Sequence, residues 1–64
     1  MENEVTNLLE NMAEQFREAY QDAEKFTNGN NSAGTRVRKA MQNIKNLAQQ
    51  VRVEVQEQKN SVTA

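Results

Sequence analysis

Apolar positions recur along this chain at intervals of four and three residues, and they do so twice. Val5, Leu9, Met12, Phe16, Ala19, Ala23 and Phe26 are spaced 4, 3, 4, 3, 4 and 3. That is the seam of an amphipathic helix, held for about three heptads. Leu8, Ala13 and Tyr20 widen it into a core-facing stripe. Ala33, Val37, Ala40, Ile44, Leu47 and Val51 repeat the pattern, broadened by Met41, Ala48 and Val55. The chain has no proline, so nothing forces a break inside either run. The pattern predicts a first helix over about 3–27 and a second over about 32–58. Glu2 and Glu4 sit where a helix start favours anions. Residues 60–64 are predicted to fray.

Between the two runs lies a single loop-like cluster, Thr27-Asn28-Gly29-Asn30-Asn31-Ser32. Glycine supplies a left-handed helix end, and Asn and Ser compete for backbone hydrogen bonds. Gly29 or Asn28 is expected just past the first helix. Asn30, Asn31 or Ser32 is expected to cap the second. A loop over about 28–31 makes the helices antiparallel neighbours. The predicted fold is all-α, one domain over residues 1–64: an antiparallel two-helix hairpin that dimerises into a four-helix bundle. Dimerisation follows from the width of the stripes, because a lone hairpin would leave Phe16, Tyr20, Met41 and Ile44 partly wet. Leu9, Met12, Phe16, Tyr20, Val37, Met41, Ile44, Leu47 and Val51 are the expected core and oligomer interface.

Composition narrows the picture. Sixty-four residues bury little surface, and small scaffolds usually rely on a disulfide, a metal or association. There is no Cys and no His, so disulfides and the commonest zinc ligands are missing, and association is the remaining device. The same absences remove the usual general base and the thiol nucleophile. No catalytic residue, metal site or cofactor is expected. No apolar run is long enough to span a membrane. Met1-Glu2-Asn3-Glu4 is acidic with no signal-like apolar segment, so a cytoplasmic chain is expected.

Charge changes the picture most. Residues 1–28 carry seven acidic and two basic side chains, net −5. Residues 29–64 carry six basic and two acidic ones, net +4. Such asymmetry suits either a charged partner or two helices that neutralise each other. Arg36, Arg38 and Lys39 fall in the first two turns of the second helix, where cations oppose the helix dipole. An anion bound at that end would justify them. Gly34 would let a ligand or backbone come close. Arg38, Lys45, Arg52 and Lys59 recur every seven residues, one row along the helix. Against this, Arg36 lies level with Asp22 and Glu24, and Lys45 near Glu14, so the row equally suits inter-helix pairing. Glu14, Glu18 and Asp22 read as solvated surface rather than a metal site. Phe16, Tyr20 and Phe26 read as core rather than base-stacking rings.

Lys25-Phe26, Gly29-Asn30, the run Ala33-Gly34-Thr35-Arg36-Val37-Arg38-Lys39, then Ile44-Lys45, Leu47-Ala48 and Arg52-Val53-Glu54 carry a resemblance. Over about 24–59 the chain resembles the bacterial linker-histone-like nucleoid proteins of the chlamydial type. The resemblance implies chromosome-associated DNA binding and compaction without catalysis. It implies Arg36, Arg38, Lys39, Lys45 and Arg52 as the nucleic-acid-binding cations. Contact with double-stranded DNA is expected to be phosphate-directed and salt-sensitive, and weak because the chain is net acidic; the long Lys- and Ala-rich tail that supplies most of the DNA affinity of well-known members has no counterpart in these residues. Asn28 and Asn31 stand where relatives tend to have cations. The alternative remains a helical oligomerisation or protein-interaction module with no nucleic-acid contact.

Overall fold

The structure, a computed structural model, describes the backbone of residues 3–63 and the side chains of residues 3–61. Met1, Glu2 and Ala64, which the expectations above include, lie outside the described residues. Two α-helices, α1 (Glu4–Thr27) and α2 (Asn31–Thr63), pack against each other. Among the described residues there is no strand. The predicted all-helical hairpin is the observed fold.

Each helix end is made by the residue types its geometry calls for. Asn3 caps α1 from an extended conformation (φ −129°, ψ 135°), its side chain accepting from the Val5 N–H at 2.8 Å. At the other end Asn28 is the last partly helical residue and Gly29 follows with φ +101°. The Asn30 N–H then donates to the Lys25 carbonyl and the Gly29 N–H to the Phe26 carbonyl, each at 3.0 Å. This paired closure satisfies carbonyls that the helix end would otherwise strand. Asn30 also starts α2, since its Oδ1 accepts from the Ala33 N–H at 3.1 Å.

The second helix is longer than its spacing predicts. The pattern ends it near 58, with a fraying tail over 60–64, yet the helix runs to Thr63. No glycine or proline follows Gly34 to stop it. Gln58 also exchanges two hydrogen bonds with Asn3, both 3.2 Å, tying the far end of the hairpin.

Packing selects part of each apolar stripe. The buried residues are Leu8, Ala19, Ala33 and Leu47. Two of the four are alanine, so the helices approach closely over a thin core. On α2 the expected seam holds: Val37, Ala40, Ile44 and Val51 are half-buried around Ala33 and Leu47. On α1 the seam is rotated. Leu8 and half-buried Met12 and Gln15 face α2, while Leu9 and Phe16 point away. Phe16 keeps 62% of its surface exposed and Tyr20 63%. Met41 and Phe26 are exposed as well, whereas Ile44 is half-buried. Gly34 does not hold space for a ligand. A Cβ built there would lie 2.5 Å from Phe26 Cδ1, so the Phe26 ring occupies the space.

Candidate nucleic-acid interface

All five candidate cations, Arg36, Arg38, Lys39, Lys45 and Arg52, lie on α2 and are exposed. They do not form one patch. A helix turns about 100° per residue, so Arg36 and Lys39 fall on one flank and Arg38 on the other. Arg36 and Lys39 line a shallow cleft with Gln15, Glu18, Asp22 and Asn43. Arg38 lines a different hollow with Phe26, Gly34 and Thr35. Lys45 and Arg52 follow Arg38 at heptad spacing, one step of about 10 Å each. An ideal helix drifts about 20° per heptad, so this row leans gradually toward the side of Met41.

The expected convergence of Arg36, Arg38 and Lys39 at the start of α2 is therefore not what the fold produces. The Arg36 Nε donates to Asp22 Oδ1 at 3.0 Å. Its side chain is 49% exposed and that of Asp22 19%. A pair this open contributes at most about 1 kcal/mol, but it does assign the guanidinium a carboxylate. The Ala33 N–H, one of the free donors of the helix start, is already taken by Asn30.

The other four cations stand differently. Among the described residues, no carboxylate lies within 4.0 Å of Arg38, Lys39, Lys45 or Arg52. Level position is thus not enough for pairing: Lys45 and Glu14 do not meet, and Glu14 is held by Arg17 on its own helix at 3.4 Å. The acidic residues disperse likewise. Among the described residues no group of three or more His, Cys, Asp or Glu gathers in a way that could hold a metal ion.

Two features escape the spacing and composition. The Phe26 ring over Gly34 has a visible signal, a glycine inside a helical run, but the signal does not say what fills the space. The Asn3–Gln58 exchange has none, because two exposed amides 55 residues apart carry no pattern.

A family model described as histone H1-like protein Hc1 matches residues 6–61, nearly the whole hairpin. The chain belongs to this family. The matched span contains both helices' packed parts, the Gly29 turn and all five cations. The resemblance to chlamydial-type histone-like proteins is thereby the family assignment. No curated protein and no solved structure matches the chain. Among the described residues, no helix is long and apolar enough to cross a membrane.

Proposed function

We propose that this chain is a nucleoid-associated, histone-like protein of the cytoplasm that binds double-stranded DNA through its phosphates, without sequence specificity, and helps compact the chromosome. The observation that carries this reading is the row Arg38, Lys45 and Arg52, with Lys39 on the opposite flank of α2: exposed cations with no carboxylate within 4.0 Å among the described residues. A structural salt-bridge lattice would have paired them. Membership of a histone H1-like family supports the same partner. Contact is to the backbone, which positions a protein on the duplex without reading its sequence. The protein acts by binding and performs no catalysis.

The net charge of −1 sets the affinity low. Cations at steps of about 10 Å act against carboxylates elsewhere on the same chain, and salt screens them over about 8–10 Å. With about three to five phosphates met per protomer, log affinity falls with log salt at a slope of about −3 to −5. A titration of random-sequence duplex at about 50 and about 200 mM salt measures this. Arg38→Ala/Lys45→Ala/Arg52→Ala is expected to abolish most of the slope. No binding by the parent chain at the lower salt would overturn the reading.

The protein works as a homo-oligomer. Phe16 and Tyr20, more than half exposed, support association. The same observation favours the second reading, a helical interaction module without nucleic-acid contact. That reading requires the parent chain and the triple variant to behave alike toward DNA.

A further inference from the structure

The two faces of the hairpin differ in kind. One carries Leu9, Phe16, Tyr20 and Met41, all exposed, with Phe16, Tyr20 and Met41 around one hollow and no charged residue among its lining. The other carries Gln15, Glu18, Asp22, Arg36, Lys39 and Asn43. We infer that the aromatic face is covered by a second copy of this chain, related by a two-fold axis parallel to the helices, so that each α1 packs on the partner's α2. The inference rests on the homo-oligomer part of the proposed function and adds the face and the orientation.

Three observations carry it. The hairpin is one helix thick, 54 × 20 × 11 Å between Cα extremes, so its apolar stripe has no second layer. Its accessible surface is 5206 Å², against about 4,200 Å² for a compact monomer of this mass. The excess, about 1,000 Å², is enough to supply the roughly 800 Å² per partner that a stable interface buries. The third is charge. The half containing α1 is net −5 and the half containing α2 is net +4. Two ways of stacking the aromatic faces pair neighbouring helices antiparallel. With the axis parallel to the helices, every acidic helix has basic neighbours on both sides, and both Gly29 turns lie at one end. With the axis across the helices, α1 packs on α1 and the turns lie at opposite ends. Only the first sets helices of opposite net charge side by side throughout, and it leaves the long side chains of Arg38, Lys45 and Arg52 at the rim, able to reach solvent.

The chain has no cysteine, so Ser32→Cys, exposed at the start of α2, accepts one spin label per copy. Sedimentation equilibrium up to about 100 μM gives the state, and pulsed dipolar spectroscopy gives the distance between labels. A dimer with labels about 15–30 Å apart is the expected result: the diagonal of a bundle with 8–10 Å interaxial spacing, about 11–14 Å, plus the reach of two labelled side chains. Phe16→Glu/Tyr20→Glu is expected to weaken the dimer at least about 100-fold, the loss of two buried aromatic anchors. Asn11→Glu/Asn43→Glu, the same added charge at exposed positions on the other face (Asn11 lies one heptad before Glu18), leaves it intact. Helicity followed by circular dichroism against concentration shows whether the aromatic variant unfolds as it dissociates; the other-face control separates the two. A monomer at every concentration overturns association itself and leaves the DNA reading to its own titration. A dimer indifferent to Phe16→Glu/Tyr20→Glu overturns the face. A dimer with labels near the 54 Å length of the molecule overturns the orientation.

Discussion

At the scale of single residues the hairpin turns on a contact between a ring and a missing side chain. Glycine within a helix costs about 1 kcal/mol relative to alanine, so Gly34 is a local weakness unless something uses the space. The Phe26 ring does: a Cβ at position 34 would meet Phe26 Cδ1 at 2.5 Å, Cε1 at 2.7 Å and Cγ at 3.3 Å. The last of these sits close to the backbone, so the ring cannot clear it by a small rotation. Gly34→Ala is therefore expected to displace Phe26 and forfeit the helix-propensity benefit. In a Phe26→Ala background the same substitution is expected to stabilise by about 0.5–1 kcal/mol. The check is a double-mutant cycle by thermal unfolding, at fixed protein concentration because association shifts the midpoint. Equal effects of Gly34→Ala in both backgrounds would leave this glycine without the ring as its reason.

At the scale of the helices, much was legible in the spacing, and the part that was not has a physical reason. The α2 seam, Ala33 through Val51, packs as its spacing predicts because one set of apolar positions dominates its inner side. On α1, Leu8 and Leu9 are adjacent, and both fit a 4–3 repeat. Spacing alone cannot choose between seams one residue apart. The choice is made by size. Ala40 on α2 lets the helices come close, and Ala19 fits such an approach where Phe16 would wedge it open. The aromatic flank is thus turned outward by the small residues opposite. The turn was legible in composition, though not in assignment: three candidates for the α2 cap could not be ranked without the bond from Ala33 N–H to Asn30 Oδ1. Because Asn30 also donates its own N–H to the Lys25 carbonyl, it joins the two helix ends. Asn30→Ala is expected to cost about 1 kcal/mol through the lost cap, while Asn31→Ala is expected to change stability by less than half of that. Unfolding by denaturant would show it; comparable losses at both positions would move the cap elsewhere.

At the scale of the whole molecule the candidate site depends on which cations the fold leaves uncommitted. Residue type and heptad spacing name five of them. Only the folded hairpin separates Arg36, held by Asp22, from Arg38, Lys39, Lys45 and Arg52. That division makes an expectation of opposite sign to any loss-of-charge experiment. Asp22→Asn removes one carboxylate from a chain of net charge −1 and leaves the Arg36 guanidinium without its 3.0 Å partner. A phosphate competes poorly for a guanidinium already held by a carboxylate, and freely once that carboxylate is neutral. If the Arg36 flank meets DNA, the variant should bind random duplex about 3–10-fold more tightly at about 50 mM salt, with a salt slope steeper by about 0.9 for the added phosphate. Glu18 lines the same cleft and is available as a replacement acceptor, so Asp22→Asn/Glu18→Gln is the stringent form. Added Arg36→Ala should then cancel the increase, whereas in the parent chain Arg36→Ala should matter less than Arg38→Ala. Stability should fall by less than about 1 kcal/mol in every case, since the pair is exposed. An unchanged slope in the double variant would take Arg36 and its flank out of the interface and leave DNA contact to the Arg38, Lys45 and Arg52 row, cations with no described carboxylate within 4.0 Å.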